Sequence, residues 1–591
     1  MMMNKTSTRS FNKFLPYLLH YRLELILSLI LGIVSGLATV WMTYAVGQAV
    51  DTMVGSSQVD FSKLYTILAL LGGILVVTVI SQWLIQLLGN RLSYLSVAEL
   101  RKDTFAKLNQ LPLNYYDRHA HGDIISRFTN DMDNISSAGT VVFNQLFSGA
   151  AVVIIAFIFM VRLSFILTLV VLVTTPIIFL VNWLVATASQ KNFAAQQKIV
   201  GTISGFVSEM IGNQKIVKAF QREQIMEQQF GAMNQDLYVQ GQKAQFSSSL
   251  TNPLSRFIDH LSYVAIGLVG GLLILNGSTA VTVGVISSFT IYSTQFTKPF
   301  IELSGMITQI QTALAGIERT FEILEQQPET PDDKQALTLT NISGEVTFDH
   351  VSFSYTPTRP LIEDFTLEVN AGETIAIVGK TGAGKSTLVN LLMRFYDVDK
   401  GMIYVDKQPI NRITRDSLRK GFGMVLQDTW LFDGTIRDNL TYGNSEATDD
   451  TIRHALQKTH TAEFIQRLPQ GLDTEIGSHG IKISEGQRQL LTIARTMISN
   501  PPMLILDEAT SSVDTLTEKH IQSAFLEIMK GRTSFVIAHR LSTIKNADKI
   551  LVMEQGKIVE IGDHHSLLAV PNGYYRALYE AQFEQQTAKK Q

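Results

Sequence analysis

The chain has 591 residues, more than one ordinary domain holds. Its formal charge of −3 carries no nucleic-acid signature. The absence of cysteine excludes disulfides, thiolate metal sites and thiol nucleophiles. Up to Ile310 the sequence holds long apolar runs with few charges, and the remainder has the mixed composition of a soluble α/β domain.

No charged stretch followed by a short apolar core and a small-residue cleavage site opens the chain, so no cleaved signal peptide is expected. Ser10 to His20 is short, basic and amphipathic, the pattern of a helix lying at a membrane interface. Apolar stretches follow at Leu25–Val50, Leu64–Leu88, Gly139–Val161, Phe165–Thr187, Leu250–Leu275 and Val281–Ile310. Each reaches the ~20 residues that a helix needs to cross a bilayer. One such stretch could be a buried soluble helix, but a series of this kind predicts a helical membrane domain.

Lysine and arginine in the connections set the expected orientation. Lys5, Arg9, Lys13 and Arg22 precede the first span; Arg91, Arg101, Lys102, Lys107, Arg118 and Arg127 follow the second; Lys191, Lys198, Lys215, Lys218, Arg222 and Lys243 follow the fourth. The opposite loops hold only Lys63 and Arg162. Both termini and the two long connections are therefore expected on the cytoplasmic side. Each connection carries a turn, at Asn114–Arg127 and at Ser208–Phe220, read either as a plain solvated hairpin or as a contact to a further domain. Within the spans Arg256, Asp259, His260, Lys298 and Glu302 stand out; they face a cavity, or they pair with one another or reach water. Pro253 and Pro299 are expected to kink their helices.

Residues 326–343, with Pro328 and Pro331, break the helical pattern and read as a linker between a membrane domain at 1–325 and a second domain at 344–591. There an apolar run enters Gly379, Lys380, Thr381, Gly382, Ala383, Gly384, Lys385 and Ser386, and a helix-forming run leaves from Thr387. The glycines let successive N–H groups point inward at an anion. Lys385 would reach the β/γ-phosphates, and Ser386 would ligate Mg²⁺ beside the helix N-terminus. Met503–Asp507 is an apolar strand ending in Asp507-Glu508, where Asp507 would hold Mg²⁺ and Glu508 would act as general base. Gln427 and His539 each follow a strand and are expected at the same sheet edge. Ser484, Glu485, Gly486 and Gln487 open a helix and form a second candidate anion site, which hints at another chain's nucleotide.

Together these residues resemble an ATP-binding cassette (ABC) exporter half-transporter over essentially the whole chain. The fold this implies is an α-helical membrane domain of six transmembrane helices, of the type IV exporter kind, followed by an α/β P-loop NTPase domain. The resemblance further implies that Tyr355 stacks on adenine, that Gly379–Ser386 form the Walker A loop, and that Asp507-Glu508 end Walker B. Gln427 would sense the γ-phosphate and Mg²⁺, His539 would be the switch histidine, and Ser511–Asp514 the D-loop. Thr474–Gly477 would contact the membrane domain, and the turns at Tyr116–Arg127 and Ile211–Phe220 would be coupling helices. ATP and Mg²⁺ are the implied cofactors, and a second half-transporter chain the implied partner.

The family's Leu-Ser-Gly-Gly-Gln signature here reads Ile483-Ser484-Glu485-Gly486-Gln487. Glu485 would add charge near a partner's γ-phosphate, where unit charges ~5 Å apart repel by up to about 3 kcal/mol, and its Cβ would restrict backbone approach. That departure beside an intact Glu508 resembles heterodimeric bacterial multidrug exporters, in which this chain would supply Walker A and B of the hydrolytic site. Export of amphipathic drug-like or lipid-like compounds across a bacterial inner or cytoplasmic membrane is the expected function. A lipid flippase or peptide exporter of the same fold is the alternative; an ATP-gated channel or regulatory nucleotide-binding membrane protein is the reading from another class.

Overall fold

The computed structural model describes residues 5–580 apart from 55–58, 381, 428, 478–479, 508–512 and 539–540. They form two compact units. One runs to Gln110 and resumes over His119–Gln326; the other joins Leu111–Arg118 to the chain from Gln327 onwards.

The first unit is helical, because a lipid-facing backbone must satisfy its polar groups internally. After α1 (Lys5–His20) come α2 (Arg22–Met53) and α3 (Phe61–Leu108). The short α4 (Leu113–Arg118) belongs to the second unit. Then follow α5 (His121–Ser126), a π-helical turn at Arg127–Asp131, α6 (Met132–Leu163), α7 (Phe165–Gly212), α8 (Gln214–Ala219), α9 (Glu223–Ser249), α10 (Thr251–Leu275) and α11 (Val283–Leu324). At 48 residues, α3 and α7 are each about 70 Å long, more than twice the hydrocarbon thickness of roughly 30 Å. They run well past the bilayer.

Among the described residues, α2, α3, α7 and the runs His121–Leu163 and Glu223–Leu275 are long and apolar enough to cross a membrane. The sixth expected span forms as α11, but it falls short in apolarity because one of its faces is polar. That face is directed at protein. Ser288 donates to the Thr43 carbonyl at 3.1 Å, Tyr292 to the Val40 carbonyl at 3.0 Å, and Gln295 Nε2 to Thr43 Oγ1 at 2.8 Å.

Two expectations change. Part of the apolar surface of α1 is covered by protein, with Phe14 and Leu18 buried among Leu92, Leu100, Met132 and Ile317, while Phe11 and Leu19 stay exposed. Lys13 pairs with Glu325 at 2.5 Å. Pro253 lies in the first turn of α10, where a missing N–H breaks no hydrogen bond; Pro299 lies inside α11. Asp131 holds Arg319 through two oxygens at 2.8 and 2.5 Å, tying the π-turn to the last part of α11.

Near its start α11 lies backbone to backbone on α2. A Cβ at Gly284 would collide with the Gly47 carbonyl oxygen, so only glycine permits the approach. Asp51 reinforces it by accepting from the Gly284 N–H and the Thr282 hydroxyl, both at 2.7 Å.

The second unit begins with β1 (Val346–Phe353), β2 (Ile362–Val369), β3 (Thr374–Gly379), α12 (Lys385–Leu392), β4 (Lys400–Val405) and β5 (Phe422–Val425). It continues with α13 (Asp449–Lys458), α14 (Glu485–Ser499), β6 (Met503–Asp507), α15 (Thr515–Met529), β7 (Thr533–Ile537), β8 (Lys549–Glu554) and β9 (Lys557–Gly562). The larger sheet has the order β9-β8-β3-β7-β6-β5, parallel except for β9. Along β3, Ile375 and Ile377 join one core beside α12, and Ala376 and Val378 join the core beside α14 and α15. Burial on both faces is why β3 reads as a continuous apolar run. An antiparallel sheet, β2-β1-β4, adjoins the first core. On α13, Ile452 and Leu456 pack with Leu491, Ala494 and Ile498 of α14.

Gly284→Ala forces the α2 and α11 backbones apart and is expected to destabilise the unit by about 1–3 kcal/mol. Thermal unfolding in detergent should show a lower midpoint for this variant. Gly267→Ala, where nothing lies within 4 Å of the added methyl and alanine is the better helix former, should not lower the midpoint.

Candidate functional site

The parallel strands present their carboxyl ends to one edge, and the loop from β3 to α12 crosses it. A Cβ at Gly379 would collide with the Met553 carbonyl oxygen, while Gly382 and Gly384 have φ of +85° and +98°. The loop therefore closes only with glycine at these places. Lys385 folds back over it, donating from Nζ to the carbonyls of Gly379 at 2.7 Å and Lys380 at 3.2 Å. Burial pushes the Lys385 ammonium pKa down, and the Asp507 carboxylate opposes the shift.

Above the loop lies a cavity of about 710 Å³. Gly382, Gly384, Lys385, Ser386 and Thr387 line its floor, Gln427 and Asp507 one side, and Tyr355 the other. Gln427 follows β5 and Asp507 ends β6, and these two strands are paired, which brings an amide and a carboxylate to the same cavity. Tyr355 is held edge-on by Phe353 and Tyr396, with ring centroids 4.9 and 5.0 Å away, and its hydroxyl accepts from Asn390 Nδ2 at 3.1 Å.

The family description "ABC transporter transmembrane region" matches residues 25–300, and "ABC transporter" matches 362–511. The "Fatty acid ABC transporter ATP-binding/permease protein" of Mycobacterium tuberculosis is 41% identical over 524 residues, covering 89% of this chain and 82% of that one. The chain belongs to the ABC transporters. It is also similar to the "ATP-dependent lipid A-core flippase" of Syntrophus aciditrophicus, 36% identical over 496 residues, with 83% and 81% of the two chains covered. A solved "bacterial Atm1-family ABC exporter with ATP bound" has a TM-score of 0.74 to it at 29% identity, over 94% of this chain and 97% of that one. The helical membrane unit followed by a P-loop NTPase unit is thus the exporter fold, and the ATP-binding unit is an ATPase coupled to transport.

The sequence reading missed Thr356, Arg359, Leu361 and Ile537 of this ABC transporter, all of which line the cavity. The first three lie in the connection between β1 and β2 directly after Tyr355; the aromatic position was the only signal for them. Tyr396, also missed, sits behind Tyr355 and hydrogen-bonds Asp117 on α4 within the same unit. Burial first, and then Asp117, pushes the Tyr396 phenol pKa up. Thr381, Glu508, His539 and the D-loop serines Ser511 and Ser512 lie outside the described residues.

Ser484, Glu485, Gly486, Gln487 and Asp514 are not among the residues lining this cavity. Ser484 caps α14: its hydroxyl accepts from the Gln487 N–H at 3.2 Å, and Gln487 Oε1 accepts from the Ser484 N–H at 3.0 Å. Gly486 is buried, and a Cβ there would lie 2.5 Å from Thr517 Cγ2. Glu485 is exposed as the first helical residue. A carboxylate at that place also suits the helix N-terminus. Asp514 caps α15 by accepting from the N–H groups of Thr517 and Leu516, which hold its pKa below the ordinary carboxylate range.

Arg359→Ala removes a cation from the cavity wall without touching the phosphate loop. It is expected to raise KM for ATP about 3- to 10-fold with kcat nearly unchanged, the pattern of lost uniform binding. Steady-state phosphate release at varied ATP measures both.

Proposed function

We propose that this ABC transporter is one half of a dimeric exporter that uses ATP to move lipid-like amphiphiles across a bacterial cytoplasmic or inner membrane. The observation that carries the reading is the cavity in which Lys385, Ser386, Gln427 and Asp507 converge, in a chain whose other unit is built of long apolar helices. The relatives' names, a fatty acid transporter and a lipid A-core flippase, favour the lipid-like over the drug-like side of the expected cargo. The lysine and arginine pattern supports a cytoplasmic nucleotide unit.

ATP enters with its base against Tyr355 and its phosphates over the Gly379–Ser386 loop, where Lys385 and the loop N–H groups offset their charge. The hydroxyl, amide and carboxylate oxygens of Ser386, Gln427 and Asp507 suit a hard cation, so these residues would hold Mg²⁺. Held by these residues, Mg²⁺ would supply positive charge to offset the charge that develops on the phosphates. Glu508 orients and deprotonates the attacking water, and Gln427 and His539 take the γ-phosphate-sensing and switch roles that the family resemblance implies. Closure of two nucleotide units and their separation after hydrolysis bias the membrane helices between two states.

A second chain is supported by surfaces that this one leaves uncovered. Ile211, Ile216 and Phe220 at the α7–α8 turn are exposed apolar side chains, as are Trp430, Phe432 and Tyr442 in the other unit. Ser484–Gln487 and Asp514 lie away from their own chain's cavity, which suits completion of a partner's site. With Glu485 in the signature and Glu508 ending Walker B, the pair is a heterodimer in which this chain supplies the hydrolytic Walker A and B. The partner is a chain with an intact signature and no glutamate equivalent to Glu508.

The ATPase rate of the chain alone, and co-expressed with an exporter subunit encoded beside it, tests this assignment. Negligible activity alone and robust activity of the pair, abolished by Glu508→Gln, is expected. Full Glu508-dependent activity of the chain alone would establish a homodimer and overturn the assignment.

A further inference from the structure

The stretch that reads as a linker is fixed to the rest of the nucleotide unit by charge. Glu329 holds Arg419 through both oxygens, at 2.5 and 3.3 Å, and its Oε1 lies 3.3 Å from Arg415 Nε. Asp332 Oδ1 accepts from Arg415 Nη1 at 2.7 Å and lies 3.5 Å from Arg394 Nη1, while its Oδ2 accepts from the Arg415 backbone N–H at 2.8 Å. Arg394 and Arg415 are buried. A buried guanidinium is tolerated where it is paired and its N–H donors are bonded, so the linker carboxylates help to keep these arginines in place.

The arginines in turn hold the end of the helix that leaves the phosphate loop. α12 closes with the Arg394 N–H donating to the Leu391 carbonyl at 3.0 Å and the Phe395 N–H to the Asn390 carbonyl at 2.9 Å. This ending puts Arg394 in left-handed backbone, φ +51°, at a position where glycine is the usual residue. The conformational cost of an arginine there is offset by its side chain, which donates to the carbonyls of Ile410 and Ile413 at 3.1 and 3.2 Å and meets Asp332. Arg419 donates to the carbonyls of Met393 at 3.3 Å and Arg394 at 3.1 Å, and its guanidinium lies over the Phe395 ring, 5.1 Å from the centroid. The chain from Asn390 to Tyr396 is thereby fixed.

That stretch also backs Tyr355. Asn390 Nδ2 donates to the Tyr355 hydroxyl, and the Tyr396 ring stands edge-on to it. Were the stretch displaced, Tyr355 would lose both, whereas Lys385, at the other end of α12, would keep its bonds to the loop carbonyls.

We propose that Glu329 and Asp332 are positioning residues for the nucleotide base: through Arg394 and Arg419 they set the place of Tyr355, so that the linker tunes affinity for the base and leaves affinity for the phosphates alone. The inference rests on the proposed seating of the base against Tyr355 and adds the linker to that site.

The test titrates the full-length protein in nanodiscs with radiolabelled ADP and displaces it with tripolyphosphate, which has no base. Both carboxylates are half-exposed and their amides keep an acceptor oxygen, so Glu329→Gln and Asp332→Asn leave the fold intact. Each is expected to raise the Kd for ADP about 3- to 10-fold, within the range of one base–aromatic stack. The inhibition constant of tripolyphosphate should not move, which a general loosening of the unit would not allow. Glu329→Gln added to Arg419→Gln should weaken ADP little more than Arg419→Gln alone, because the carboxylate acts through that guanidinium. Tyr355→Leu should weaken ADP with the same selectivity. ADP affinity that stays constant in both linker variants, or falls in step with that of tripolyphosphate, while Tyr355→Leu weakens ADP selectively, would overturn the inference and leave the seating of the base standing. A Tyr355→Leu variant with an unchanged ratio of the two constants would overturn both.

Discussion

Everything this protein does with ATP depends on a run of backbone N–H groups that no secondary structure has consumed. The turn from β3 into α12 supplies them, and it can do so only because its glycines take conformations and approaches that a Cβ forbids, at Gly379 against Met553 and at Gly382 and Gly384 in left-handed space. The surrounding order follows from that turn. A parallel sheet buried on both faces fixes the ends of β5 and β6, so Gln427 and Asp507 arrive at the same cavity as Lys385. The helix start at Ser484 is capped by its own Gln487 and is not among the residues lining that cavity.

The membrane unit obeys the opposite constraint: its backbone must leave nothing unpaired, and its side chains must tolerate lipid. Where they do not, protein covers them. The polar face of α11 meets carbonyls and a hydroxyl of α2, and the glycine contact at Gly47 and Gly284 brings the two helices close enough for that.

Much of this was legible in the sequence where a function is written in consecutive residues. Gly379–Ser386 is one loop, Asp507 ends one apolar strand, and the long spans announce themselves by length. What was not legible depends on which partner a surface finds. The amphipathic α1 reads equally well for lipid or protein, and only the buried Phe14 and Leu18 show that protein takes part of its surface. Thr356 and Arg359 reach the nucleotide cavity because of how β1 pairs with β2, and no local pattern encodes that. The polarity of α11 looked like scattered ionisable positions until the neighbouring helices were in place.

The division of the chain carries one more consequence. Because α4 folds with the nucleotide unit while the segments on either side of it belong to the membrane unit, the polypeptide passes between the two units three times, near Gln110, Arg118 and Gln326. The nucleotide unit is thus not a bead hung on a single thread. Within the second unit, α4 is tied to the sequence beyond Gln326 by Asp117, which is bonded to Tyr396. Severing the visible linker would not release the engine from the pump.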